Sequence, residues 1–432
     1  MSKVIAGNKE KYSKAIYWGK LISITGGAQA LVQGIGLLCG ILVIRLLPVQ
    51  EYAWYTITNT MLGTMTVLAD GGISAGIMAQ GGKVWKDKVK LGVVLATGLD
   101  LRKKFAIGSL LLTVPMLFYL LLHHMASWLL AILILFSLVP AFFSALSDAV
   151  LEIVPKLHQD IPALQINSIK VSLGRLILSA ISLFFFPFTF VAILAGGIPR
   201  IFGNFGLKKI ATGFASKDQV PDTEVRSLIL KSVKRILPGA IYYSLSGQIT
   251  IWLISVFGSS SSVANVGALG RLAMVLSVLS SLLGTLVIPR FARLSDHSNK
   301  LLNRYLQINL GLVLLGLITI VIVFLFSTQA LWILGPNYSN LKTEFVLCIA
   351  GSYLGLMAGS LFTLNASRGW TIHPVISIGV NLLAIIIGIT LINISTLRGL
   401  FIFNIIVMCT EVFIFFIFGL LKILPFHISI EK

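Results

Sequence analysis

The chain has 432 residues, 56% hydrophobic and 11% charged, with a formal net charge of +19. A soluble globule carries about 25% charged residues, so the composition excludes one. It points instead to a polytopic membrane protein whose lipid-facing helices stay apolar all round, each needing ~20 apolar residues to cross.

Lys3, Lys9, Glu10, Lys11, Lys14 and Lys20 precede a first apolar run too long for a cleavable signal, so the first helix is expected to be its own insertion signal. Further apolar runs follow. The expected spans are 21–44, 53–80, 105–122, 127–147, 165–186, 188–205, 236–257, 265–289, 306–327, 343–365, 373–394 and 399–421. The fold class is therefore all-α, with about 12 transmembrane helices in two six-helix lobes. The lobes are residues 1–205 and 236–432, separated by a basic cytoplasmic linker at 206–235.

With the N-terminus inside, 28 of the 34 Lys and Arg fall on the inner side. Only Arg45, Lys342 and Arg398 fall outside, and Arg175, Arg200 and Arg271 lie within spans. This bias is a strong positive-inside signal and puts both termini in the cytoplasm. It also accounts for the excess positive charge without nucleic acid as a partner. The linker ends in a stretch with Val225, Leu228, Ile229 and Val233 on one helical face and cations elsewhere, a pattern expected of a helix lying on an anionic leaflet. Lys20 and Arg235 are 215 residues apart, as are Gln33 and Gln248. The spacing suggests an internal repeat and fits a two-bundle transporter with a substrate path between halves.

Cys39, Cys348 and Cys409 lie in separate apolar segments, which suggests packing and neither a disulfide framework nor a metal site. His123 and His124 sit in a short outer turn. No Walker A sequence is present, so direct ATP use is not expected.

Arg45-Leu46-Leu47-Pro48-x-x-Glu51-Tyr52-x-x-Tyr55 follows the first span, and Leu68-Ala69-Asp70-Gly71-Gly72-Ile73 closes the second. Ile288-Pro289-Arg290-Phe291-Ala292 and Leu334-Gly335-Pro336-Asn337-Tyr338 come later. In this order the motifs resemble the polysaccharide-biosynthesis flippases, the O-antigen and lipid-linked oligosaccharide translocases of the multidrug/oligosaccharidyl-lipid/polysaccharide exporter superfamily. The usual glycine before Pro48 is missing, and Ala53 stands where another glycine is common. The resemblance implies a transporter, not an enzyme, that moves an undecaprenyl-pyrophosphate-linked repeat unit across the bacterial inner membrane by alternating access. It implies membrane lipids, a polysaccharide polymerase and a chain-length regulator as partners, no cofactor, and H+ or Na+ coupling as an open question.

A pyrophosphate away from bulk water needs fixed cations, and arginine suits it because its planar fork donates paired hydrogen bonds. Arg175, Arg200 and Arg271 are the substrate-binding candidates, with snorkelling to a headgroup layer the plain alternative for the last two. Gln29 and Gln33 share a face of span one and, with Gln248, are candidates for sugar hydroxyls, or else join helices. Asp70 and Glu411 are acids inside spans. Asp70 is expected to make a salt bridge or helix-end contact that gates the inner side, and Glu411 to be protonated, paired or ion-coupling. Arg45 and Glu51 complete the gating candidates at the outer turn. Two other classes remain. A drug/cation antiporter of the same superfamily predicts an acid-lined cavity, and a membrane glycosyltransferase or polymerase predicts a large outer loop, which the short outer connections deny.

Overall fold

The computed structural model describes residues 27, 30–283, 287, 288, 291, 294, 299–366, 368, 370, 372 and 374–428. Helices make up nearly all of the described chain, and no strand occurs among these residues. In order they are α1 (Ala30–Leu46), α2 (Val49–Asp70), α3 (Ile73–Val84), α4 (Lys88–His123), α5 (Trp128–Leu151), α6 (Ile153–Leu157), α7 (Ile161–Phe185) and α8 (Thr189–Phe214). Then come α9 (Thr223–Phe257), α10 (Ser260–Ala273), α11 (Leu276–Leu282), α12 (Asn299–Leu325), α13 (Ser327–Leu334), α14 (Lys342–Ala366), α15 (Pro374–Leu391) and α16 (Leu397–Ile428).

The expected spans map onto these helices in order, the second onto α2 and α3 and the eighth onto α10 and α11, with 21–26, 28, 29, 284–286, 289 and 373 lying outside the described residues. Among the described residues, 7 helices are long and apolar enough to cross a membrane by themselves, and the bent α2–α3 pair makes an eighth. The chain is an all-helical polytopic membrane protein. Leu111, Phe136, Phe184 and Leu317 are among the many large side chains left exposed, as expected of a surface solvated by lipid.

Local chemistry sets the breaks. Pro48 lacks the N–H needed to continue α1, and its carbonyl accepts from Tyr52 N at 2.8 Å to open α2. The connection expected between the first two spans, at 45–52, thus shrinks to Leu47 and Pro48. Asp87 caps α4 by accepting from Val89 N and Lys90 N, and Ser127 and Ser259 cap α5 and α10. Gly71 and Gly72 carry φ of 49° and 93° between α2 and α3, a conformation glycine adopts without strain. The two helices bend there by 45°.

The chain divides into two compact units, the first Met1–Leu46 with Thr58–Ser244, the second Leu47–Ile57 with Leu245–Lys432. Within the first, α5 packs along α8, α8 along α7, and α4 along α5. In the second, α16 runs against α14 and α15, and α12 against α14.

One expectation is corrected here. The stretch assigned to an interfacial helix is the first part of the 35-residue α9. Its apolar face meets protein: Ile229 and Val233 are buried with Ile73 and Ile77 of α3, Val94 and Leu101 of α4, and Val150 of α5. Arg226 clamps the same stretch to Asp100 at 2.6 Å, and Asp222 N donates to Thr97 Oγ1 at 2.9 Å. Amphipathic periodicity reports an apolar partner and does not say whether that partner is lipid or protein.

Candidate functional site

In the first unit, the bend at Gly71–Gly72 turns α3 so that Ser74 lies against the end of α2. Asp70 Oδ1 accepts from Ser74 N at 3.2 Å and from Ser74 Oγ. The same oxygen lies 3.3 Å from Arg102 NH1, which also donates to Ser74 Oγ. The Arg102 side chain is only 4% exposed. No cation so placed is tolerable without counter-charge, and Asp70 supplies it. Gly71 is a glycine for a second reason: a Cβ there would lie 2.8 Å from Leu237 Cδ1 and 3.3 Å from Phe105.

A second pair sits nearby, close enough that Arg102 feels the charges of both Asp148 and Arg200. Asp148, in the last turn of α5, accepts from Arg200 Nε at 2.8 Å and from Asn204 Nδ2 at 2.7 Å. Pro199 and Arg200 are in the middle of α8, so α5 and α8 are joined by charge as well as packing. The Arg200 side chain is 39% exposed and Asp148 10%. Signs thus alternate through Asp70, Arg102, Asp148 and Arg200.

Arg175 enters from α7. Its guanidinium lies over Gly196 of α8, where an added Cβ would be 3.5 Å from Nε. Gly197 lets α8 approach the α5 backbone at Ala141, and Gly203 and Gly206 admit Val171 and Asn167 of α7. This close approach leaves a polar cavity of about 250 Å³ with Arg175, Arg200, Asp148, Glu152, Asn167 and Ser172 on its walls. Both acids are already engaged, Asp148 with Arg200 and Glu152 with Lys156 at 2.7 Å. A neighbouring cavity of about 580 Å³ shares Asn167, Val171 and Gly203 and adds Lys170. The walls are therefore rich in cations and in hydroxyl and amide donors, chemistry suited to holding a phosphate or carboxylate.

The remaining predicted residues are distributed. Arg271, at the end of α10, hydrogen-bonds the buried Tyr52 and donates to Met274 Sδ at 3.7 Å. Tyr52, Ala53, Trp54, Tyr55 and Ile57 are all buried, so the part of the motif from Tyr52 onward acts as packing in the second unit. Arg45 is exposed and Glu51 half-buried. Glu411 of α16 accepts from Asn381 Nδ2 of α15 at 2.8 Å, with Asn381 almost wholly buried. Gln33 is half-buried on α1. Gln29 lies outside the described residues, and of Gln248 only its place in α9 is described.

Sequence reasoning missed Arg102 and Asp148, which it counted with the inner loops. The helices run further than hydropathy suggested: α5 continues to Leu151, and α4 begins at Lys88. It also missed the Arg398–Glu344 pair at 2.6 Å, which joins α16 to α14.

No protein-family model and no curated protein matches the chain. Solved structures do. An inward-facing multidrug resistance MATE family transporter of the MOP superfamily aligns over 91% of this chain and 94% of its own, at 16% identity and a TM-score of 0.71. An outward-facing structure of such a transporter aligns over 94% and 95%, at 16% and 0.62. A MOP superfamily transporter from Pyrococcus furiosus Vc1 (DSM3638), for which a binding pocket of reverse polarity is taken to suggest a different function, aligns over 94% and 95%, at 16% and 0.61. At such identity the likeness is one of architecture: the chain has the two-lobed, all-helical fold of the MATE transporters of the MOP superfamily.

Proposed function

We propose that this protein is a transporter, and that its cargo is an anionic amphiphile: a polyprenyl-pyrophosphate-linked oligosaccharide moved across the bacterial inner membrane by alternating access. The observation that carries the reading is the placement of Arg175 on the wall of a polar cavity whose two acids, Asp148 and Glu152, are already paired with Arg200 and Lys156. Asn167, Ser168 and Ser172 on the same walls offer hydrogen bonds to sugar hydroxyls. The cation bias toward one side supports cytoplasmic termini and inward presentation of the cargo. Half-buried Glu411, accepting from buried Asn381, is the group we assign to H+ or Na+ coupling, and a polymerase with its chain-length regulator would take the product.

A second reading, a drug/cation antiporter, is favoured by the multidrug resistance role of the MATE transporters that share the fold and by Asp148 on the cavity wall. One variant separates them. Charge-assisted hydrogen bonds contribute about 1.5–3 kcal/mol each, so Arg175→Ala is expected to lower delivery of lipid-linked glycan by ~10–100-fold while the protein still inserts. Surface polysaccharide in a strain depending on this protein is the readout, beside accumulation of a fluorescent lipophilic cation. Normal polysaccharide overturns the anion reading, and cation accumulation that rises with polysaccharide unchanged establishes the antiporter.

A further inference from the structure

Asp148 stands on a helix flanked by two arginines. In the first unit α5 packs along α4, which carries Arg102, and along α8, which carries Arg200. The four charges pair two by two, Asp70 with Arg102 at 3.3 Å and Asp148 with Arg200 at 2.8 Å. A second pairing is open to the same groups. Arg102 NH1 is taken up by Asp70 and Ser74, but its Nε is buried and has no acceptor among the described residues. A buried donor without an acceptor is destabilising, and Asp148 is the other acid whose charge reaches this guanidinium.

The contacts of Asp70 also fasten a break in the chain. Gly71 and Gly72 adopt positive φ without strain, so side-chain contacts hold the 45° angle between α2 and α3. Asp70, on the last turn of α2, accepts from Ser74 on the first turn of α3, with Arg102 of α4 bound to both. Arg200 has more to offer an anion once Asp148 has left it, and a ligand shifts a population toward the state that binds it better. We infer that Asp148 exchanges arginines: an anion that takes Arg200 on the cavity wall releases Asp148 to Arg102 Nε, and the loosened Asp70 lets α3 turn about Gly71–Gly72. Arg102 is then a positioning residue that touches no cargo and carries its arrival to the break between α2 and α3. The device is selective for sign, because a cation held by Asp148 occupies that carboxylate and leaves Asp70 with Arg102. The trigger rests on the anionic-cargo reading of the cavity, whereas the exchange of partners follows from loss of Arg200 by any means.

The test is hydrogen–deuterium exchange of the full-length protein in detergent, read at peptides of α3 (Ile73–Val84). Inorganic pyrophosphate is expected to speed exchange there about tenfold, within the ~5–150-fold range of coupled sites, and tetraphenylphosphonium to leave it unchanged. Arg200→Ala is expected to show the fast rate with no ligand present. Adding Asp148→Asn to it removes the competitor for Arg102 and is expected to restore the parental rate, which a general loosening of α8 would not allow. Arg200→Ala exchanging at the parental rate, a double variant as fast as Arg200→Ala alone, or equal speeding by tetraphenylphosphonium overturns the inference. Variants that behave as expected, in a protein whose parent ignores pyrophosphate, support the exchange of partners and remove the anionic cargo. Pyrophosphate that slows exchange in α7 around Arg175, with α3 unresponsive in the parent and in Arg200→Ala alike, leaves the cargo reading and removes the exchange of partners.

Discussion

Replacing Asp70 by Asn isolates the charge that holds Arg102 in the first unit. The amide keeps the shape and the contacts to Ser74 but removes the negative charge 3.3 Å from a guanidinium that is 4% exposed. Asp148 is the other acid whose charge Arg102 feels, and it is bound to Arg200 at 2.8 Å. Breaking a buried pair by removing one partner costs about 3–5 kcal/mol. Asp70 is itself 28% exposed, so water screens part of the interaction, and ~2 kcal/mol is the expected loss. For a unit of ~150–250 residues that is a fall in Tm of about 4–8 °C, read by heating the detergent-solubilised protein and following the monodisperse peak on size exclusion. Asp70→Asn with Arg102→Met replaces the pair by neutral groups of similar size, an exchange that is often neutral or stabilising, and its Tm is expected to return to near the original. An Asp70→Asn protein that melts with the parent, or a double variant no better than the single one, refutes the assignment of Asp70 as the counter-charge.

The Glu344–Arg398 pair is asymmetric, with side chains 10% and 64% exposed. Arg398→Ala strands a nearly buried carboxylate and is expected to cost ~1–3 kcal/mol, whereas Glu344→Gln releases an already solvated guanidinium and costs under ~1 kcal/mol. The order of the two melting temperatures checks this. Burial pushes the Tyr338 phenol up from its ordinary value. Its folded pKa therefore lies above the unfolded one, so its contribution to stability is complete below ~pH 10 and is lost as pH rises through the folded value. Tyr338→Phe is expected to flatten that alkaline fall in a series of melting curves above neutrality, and an unchanged slope counts against it.

Most of the architecture was legible because membrane helices must satisfy their backbone internally and be apolar outside. That requirement prints long runs such as 306–327 and 399–421 directly on the sequence. What failed to print was where a helix outruns its apolar stretch. Hydropathy falls at Ser147-Asp148 and at Arg102-Lys103-Lys104, yet α5 and α4 continue through both. Two charges that neutralise each other across helices look, in one dimension, like the edges of loops. Lys103 and Lys104 are exposed while Arg102 between α4 and its neighbours is buried. Only the packing of α3 and α5 distinguishes the three. The amphipathic stretch of α9 was misassigned for a related reason, since periodicity fixes a face but not its partner. Arg175 was visible because no loop reading was available ten residues into an apolar helix.

The charge pairs also decide which residue discriminates between cargoes. Anything that binds at Arg200 must compete with Asp148 and Asn204, already in place at 2.8 and 2.7 Å. A cationic drug that binds at Asp148 must compete with Arg200 at the same cost. The pair therefore adds little net preference for either sign, since separating it removes as much as the new partner restores. The same holds at Glu152, engaged with Lys156, and at Asp70 with Arg102. The cavity wall also carries Arg175 over Gly196, and the adjoining cavity carries Lys170. On the proposed reading a pyrophosphate is attracted by both cations and a lipophilic cation is repelled by both. On the anionic-cargo reading proposed above, the sign preference is assigned to α7, the helix that contributes cations to these walls and no acid.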